Sequence, residues 1–396
     1  MVGNTEVIVI GGGYAGVMAA NRLTQRDDVT VTLINPRPDF VERIRLHQVV
    51  GGSDDAVVDY RRILAGGVRL VVDAVTRIDA AERSVTLASG GTVGYDYLIY
   101  AVGSNSAAPR VPGAAEFAYP IAGLEEAQRL RPVLDGAPAT AAVTVVGAGP
   151  SGIETAAELA EEGRAVTLVC GGPLGPYLHP RGRRSVAERL AGLGVTVLDG
   201  PGTEVTAVSR DAVQLGGGRT VPSAVTIWTA GFGVPDLAAR SGLSTDADGR
   251  LRTDETLTSV DDARIVAAGD AAAPSDLPFR MGCQSAVQLG PQAAETVLSR
   301  IAGKQPAPIS VGFAGQCISL GRRAGIFQFA HKDDTAIKFY VGGRPGARLK
   351  EFVCRSIVWQ LRYEARKPGV RTWWAKDAKR AHRLRAERDK APVTPV

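Results

Sequence analysis

Hydrophobic runs along the chain follow a repeating plan. TEVIVI, from Thr5, is a short apolar run that reads as a buried strand, and Gly11 to Gly16 follow as a tight turn. AGVMAANRLTQR then takes on helical periodicity, and VTVTLI reads as the next strand. The same succession returns as AAVTVV, Gly147 to Gly152, SGIETAAELAEE and AVTLVC. Each set predicts a βαβ unit, and each is followed after a similar interval by an apolar strand ending in small residues, YDYLIYAVG and AVTIWTAG. One half of the chain is therefore expected to be a relative of the other.

A further strand, in ARIVAAGDAAA at 263–273, has no βαβ unit of its own. A discontinuous first domain explains it. Residues 1–118 and 245–312 form one dinucleotide-binding domain, 119–244 form a second inserted within it, and 313–396 form a C-terminal region. That last region starts with strand-like FAGQCISL, AGIFQFA and AIKFYV and ends in two basic helices divided at Pro368-Gly369. The predicted fold class is α/β, with two Rossmann-like dinucleotide-binding domains.

Composition narrows the functional classes. With 396 residues, 45% hydrophobic and 22% charged, the chain can build two or three cores. A first strand near Thr5 leaves no room for a secretory leader, and the longest uncharged stretch, 136–153, is broken by Gly and Pro, so a cytoplasmic chain without a membrane span is expected. The four cysteines, Cys170, Cys283, Cys317 and Cys354, form no CxxC pair, which disfavours a disulfide framework, a zinc ribbon and a local redox dithiol. His47, His179, His331 and His382 lack ligand spacing, so no metal is predicted.

The glycine triplets carry the chemistry. In Gly11, Gly13, Gly16 and again in Gly147, Gly149, Gly152, the first residue permits the turn, the second lets backbone approach a pyrophosphate, and the third lets helix pack on strand. Two phosphate-bearing ligands are implied. The strand after such a turn usually ends in a carboxylate for the ribose, yet here it ends in Asn35 and in Cys170-Gly171. Arg181, Arg183 and Arg184 are either partners for a 2′-phosphate or solvated residues opening the next helix, and the choice between NADH and NADPH stays open.

The order GGGYAG, YDYLIYAVG, GAGPSGIE, WTAG, AAGDAA resembles the two-dinucleotide flavoprotein reductases, and among them most of all the type II NADH dehydrogenases, over residues 6 to 330. The resemblance implies FAD on the discontinuous domain, held by Gly11, Gly13, Tyr14, Ala15, Gly16, Asn35, Ala101, Gly103, Gly269 and Asp270. It implies NADH or NADPH on the inserted domain at Gly147, Gly149, Gly152 and Gly231, with Glu154 near the nicotinamide as a carboxylate that assists proton movement. CQSAVQ, from Cys283 to Gln288, is similar to the AQxAxQ helix of that family and places Gln284 beside flavin and acceptor, with Gln288 one turn on. The implied reaction takes a hydride from the nicotinamide cofactor to FAD and passes electrons to a quinone. The alternatives are a soluble reductase of a ferredoxin- or rubredoxin-type protein and an apoptosis-inducing-factor-like binding flavoprotein.

Charge adds one expectation. Residues 344–396 hold 15 Lys and Arg against 5 Asp and Glu, interleaved with Trp359, Trp373 and Trp374, while the whole chain carries only +5. Such a segment suits the anionic cytoplasmic face of a membrane, with docking on the body or a dimer contact as the plainer reading. No nucleic-acid module accompanies the charge, and a monomer or homodimer is expected.

Overall fold

The computed structural model describes residues 4–107, 109–370 and 376–390. The chain opens with β1 (Thr5–Ile10), α1 (Tyr14–Leu23) and β2 (Val29–Asn35), followed by α2 (Leu46–Val50), β3 (Val68–Val72) and β4 (Tyr97–Tyr100). All of these strands pair in parallel, and β1 and β2 are apolar over most of their length because a parallel sheet is covered on both faces.

The chain then builds a second parallel sheet. β5 (Ala118–Pro120) and α3 (Leu124–Gly136) lead into β6 (Ala142–Val146), α4 (Pro150–Glu161) and β7 (Ala165–Val169), and α5 (Pro180–Gly192), β8 (Thr196–Leu198) and β9 (Val225–Trp228) complete it. The chain returns to the first sheet as β10 (Ile265–Ala267), parallel to β4. The spatial orders are β10-β4-β1-β2-β3 and β5-β9-β6-β7-β8, so the two sheets match position for position. The duplication extends to a feature the hydrophobic pattern did not reveal. A three-stranded antiparallel meander precedes β4 in one half, within 75–94, and β9 in the other, within 205–222.

Beyond β10, α6 (Cys283–Ile301) packs along α1. A three-stranded antiparallel sheet follows, of β11 (Gly315–Ser319), β12 (Gly325–Ala330) and β13 (Ala336–Gly342), then α7 (Gly343–Arg366) and α8 (Arg380–Lys390).

The basic C-terminal stretch is bound to the body rather than appended to it. Ile357, Val358 and Leu361 of α7 belong to the same core as β1, α1 and α6. Arg22 of α1 forms a bidentate pair with the fully buried Glu364. Arg380, at the start of α8, pairs with Glu255 at 2.9 Å, donates to the Pro274 and Leu277 carbonyls and lies over the Phe279 ring. Trp373 and Trp374 lie outside the described residues.

Candidate active site

One cleft of about 1660 Å³ runs between the two sheets and reaches α7. Both glycine turns open onto it because β1 and β6 deliver their helices at the carboxyl edges of their sheets. Gly13 and Gly149 are the residues that cap α1 and α4, so both helix N-termini point their free N–H groups into the cleft.

The glycines divide by role. A Cβ on Gly11 would lie 2.3 Å from the Ala101 carbonyl oxygen, and one on Gly147 2.5 Å from Thr229 Oγ1; both residues have left-handed φ, +103° and +124°. A Cβ on Gly16 or Gly152 would lie 1.8 or 1.9 Å from the carbonyl of Gly11 or Gly147, so these two serve packing and do not line the cleft. A Cβ on Gly13 or Gly149 meets no protein atom within 4 Å and would project into open cleft. These are the positions where a pyrophosphate needs close backbone approach, and the residues present fit a dinucleotide at each.

Around the first turn, Asn35 accepts the Gly12 N–H at 2.9 Å and donates to the Arg37 carbonyl at 2.9 Å, while the Tyr60 hydroxyl donates to the Gly12 carbonyl at 2.7 Å. Asn35 therefore organises the phosphate turn as well as lining the cleft. Tyr14 and Ala15 also line it, and the Tyr14 hydroxyl is buried without a protein partner, an orphaned polar atom suited to a ligand. Ala101, Gly103, Gly231 and Gly269 complete the cleft's backbone edge. Asp270 accepts from the Gly282 N–H at 2.8 Å and the Ser104 hydroxyl at 2.7 Å, and Arg43 bridges Ser104 at 2.9 Å to the Ala122 carbonyl at 3.1 Å.

The two glutamines of CQSAVQ have a structural task. The Gln284 amide donates to the Gly315 carbonyl at 3.0 Å and accepts from the Ala314 N–H at 3.1 Å. Gln288 does the same for Gly312, at 3.1 and 3.2 Å, and Gln292 accepts the Ser310 N–H at 2.6 Å. Four residues of helix rise about 6 Å and two residues of extended chain about 6.6 Å, so glutamines four apart match partners two apart. This ladder straps segment 310–315 along α6. Gln284 lines the cleft, whereas Gln288 is buried outside it.

Glu154, in the second turn of α4, is nearly fully buried. Its Oε1 accepts from Lys350 Nζ and from the Ser319 N–H, both at 2.9 Å, and His47 Nδ1 lies 3.5 Å from Oε2. Burial alone would raise this carboxyl, but the Lys350 ammonium and the hydrogen bonds hold it below the usual carboxylate range. Burial works against the Lys350 charge too, and Glu154 outweighs it, holding the ammonium above its ordinary value. His47 Nε2 is 3.2 Å from an Arg322 nitrogen that can only donate, so the ring proton sits on Nδ1, facing Glu154. Burial, reinforced by Lys350, Arg322 and Arg45 against the opposing pull of Glu154, lowers His47 to about 4.

Sequence reasoning missed Lys350 and His47. In sequence Lys350 reads as one charge of a basic stretch, although Gly346, Lys350, Cys354, Ile357 and Leu361 fall on one buried helical face. That spacing was available as a signal. It had no counterpart for His47, whose partners come from distant elements. Nor could spacing show that all four cysteines line the cleft, where burial pushes the Cys283 thiol up to about 12 and Cys354 to about 11. Among the described residues no group of side chains has the makings of a metal site.

A cleft that joins two duplicated dinucleotide turns defines a two-dinucleotide oxidoreductase, and comparison with known proteins agrees: the chain belongs to the pyridine nucleotide-disulphide oxidoreductase family, whose model matches residues 5–296. Its relatives include NADH dehydrogenase-like proteins and type II NADH:quinone oxidoreductases. An NADH dehydrogenase-like protein of Mycobacterium tuberculosis is 30% identical over 82% of this chain and 87% of its own length. A type II NADH:quinone oxidoreductase of the same organism is 28% identical over 76% of this chain and 74% of its own. Two solved structures share the fold. The sulfide:quinone oxidoreductase of Aquifex aeolicus has a TM-score of 0.77 at 22% identity, over 92% of this chain and 93% of that one. The Plasmodium falciparum NDH2 complex with NADH has a TM-score of 0.76 at 16% identity, over 91% and 97%.

Proposed function

We propose that the chain is an FAD-dependent NAD(P)H:quinone oxidoreductase, with FAD at the first glycine turn and the nicotinamide nucleotide at the second. The observation that carries the reading is the single cleft onto which both turns and the Lys350–Glu154 pair open. FAD, when bound, supplies the hydride-accepting and electron-passing chemistry, which asks little of side chains beyond position and proton supply. Net reduction of a quinone by NADH consumes one proton from solvent, and Lys350 holds a proton at Nζ on the cleft wall with Glu154 Oε1 against it. With its proton held firmly by Glu154, the Lys350 ammonium is suited to hydrogen-bond a reduced quinone oxygen and steady its charge, while the proton that completes the reaction comes from solvent. The wall between α6 and α7 is largely apolar, with Phe313, Phe327, Val353 and Ile357, as a quinone ring requires.

The quinone-reducing relatives support this acceptor, and the exposed face of α7 supports a lipid-soluble one. Arg348, Phe352, Arg355, Trp359 and Arg366 recur there at helical spacing, with Phe352 67% and Trp359 58% exposed. Basic and aromatic residues sharing a helix face suit the surface of an anionic leaflet. Among the described residues no helix is long and apolar enough to cross a membrane.

Purified protein is expected to be yellow, to release FAD on denaturation, and to reduce a soluble quinone with NADH or NADPH. Gly13→Val, which fills the open space at the first turn, is expected to be folded but colourless and inactive. A variant that kept its flavin spectrum would overturn the first-site assignment.

A further inference from the structure

We propose that Asp199 makes the second dinucleotide site selective for NADH over NADPH, supplying from the neighbouring strand the carboxylate that position 170 lacks. The inference rests on the reading of the chain as a nicotinamide-nucleotide oxidoreductase and fixes a choice that reading leaves open.

The geometry starts from the sheet. In a dinucleotide-binding βαβ unit the adenine ribose lies beyond the carboxyl end of the second strand, where a carboxylate selects the 2′-hydroxyl and a cation selects the 2′-phosphate. Here that strand is β7, and it runs out into Cys170, Gly171 and Gly172, all on the cleft wall. Neither glycine has a side chain, and the Cys170 thiol is uncharged because burial, with the nearby Asp199 charge, pushes it up to about 12. The strand that should choose the nucleotide thus carries neither sign of charge at its end.

A charge comes instead from the next strand. β7 and β8 pair in parallel with Val169 opposite Leu198, and the ladder continues with the Cys170 N–H donating to the Leu198 carbonyl at 2.8 Å. Asp199 therefore stands beside Cys170, and register neighbours in a parallel pair point to the same face. The two strand ends stay tied beyond that point, since the Gly200 N–H donates to the Gly172 carbonyl at 2.9 Å. Asp199 is exposed and, among the described residues, makes no ion pair and accepts no hydrogen bond, so its charge is not neutralised.

The cations that would favour NADPH are elsewhere. Neither Asp199 nor Arg181, Arg183 and Arg184 line the cleft themselves, but Asp199 is held by register beside Cys170, which does, whereas the arginines open α5 and Arg183 turns back to the Leu178 carbonyl. A ribose placed beyond β7 meets an uncompensated carboxylate, which tolerates or binds a hydroxyl and repels a phosphate.

Initial rates of flavin reduction by NADH and by NADPH test this in the purified holoprotein. The wild type is expected to favour NADH in kcat/KM by about tenfold or more, the scale a single nearby charge supports. Asp199→Asn is expected to reduce that preference about tenfold, chiefly through a lower KM for NADPH, and Asp199→Arg to reduce it further. Equal use of both nucleotides by the wild type, a preference for NADPH, or an unchanged ratio in Asp199→Asn would overturn the inference while leaving the oxidoreductase reading intact. Flavin that neither nucleotide reduces would overturn that reading and this inference with it.

Discussion

Glu154 is reached by three donors from three different elements: Lys350 on α7, the Ser319 N–H on β11, and His47 on α2. Each fixes a different feature of the carboxylate. Lys350 balances its charge, Ser319 orients Oε1, and His47, held as one tautomer by Arg322, faces Oε2. The arrangement has a pH consequence. An unfolded His47 takes up a proton near 6.5, whereas the folded one stays neutral down to about 4. Between those values the unfolded state binds the extra proton, so His47's contribution to stability is complete above pH 6.5 and is lost as pH falls toward 4. A shift of this size corresponds to at most about 3 kcal/mol. Denaturant midpoints for the wild type and His47→Gln, compared from pH 7 to 4.5, are expected to show a shallower acid loss in the variant, and parallel curves would contradict the burial argument. Residue-level legibility followed locality. Gly11, Gly13 and Asp270 could be named as candidates because a turn's chemistry is written in adjacent residues, and the structure places all three on the cleft. The Glu154 partners did not, because positions 47, 154, 319, 322 and 350 meet only after the sheets are assembled.

At the scale of elements, α7 and the strap on α6 carry most of what the sequence concealed. The i,i+4 glutamines of α6 were visible, but their partners at 310–315 are backbone groups with no sequence signature. α7 was visible as a basic helix, and its buried face was hidden by the charges it includes: Lys350 and Glu364 are both buried because each has an ion-pair partner. Removing either partner would strand a buried charge at a cost of about 3–5 kcal/mol, so α7 cannot be cut away to test membrane contact. Substitution on its exposed face can. Phe352→Ser with Trp359→Ser is expected to weaken sedimentation with anionic liposomes by about tenfold, as loss of interfacial aromatic surface implies, while leaving flavin reduction by NADH unchanged. Equal sedimentation of variant and wild type would remove the case for this face.

At the scale of the molecule, two copies of one plan face each other across a cleft, and the C-terminal region closes it. The sequence conveyed the duplication and the return of the chain at β10, because glycine turns and apolar strands are local patterns that repeat. It conveyed neither the matching meanders, whose short strands alternate weakly, nor the convergence of four distant cysteines on the cleft. The proposed function has electrons cross this cleft in two separable steps, the first dependent on the two glycine turns and the second on the Lys350–Glu154 wall. Anaerobic double-mixing stopped flow, in which the holoprotein is reduced by NADH and then mixed with a soluble quinone, tests that most directly. The wild type is expected to bleach and then recover rapidly, and the paired variant Lys350→Met/Glu154→Gln, which strands no buried charge, to bleach but recover at least about tenfold more slowly, in line with the loss of the cation that steadies a reduced quinone oxygen. Bleaching without quinone-dependent recovery in the wild type would contradict the account.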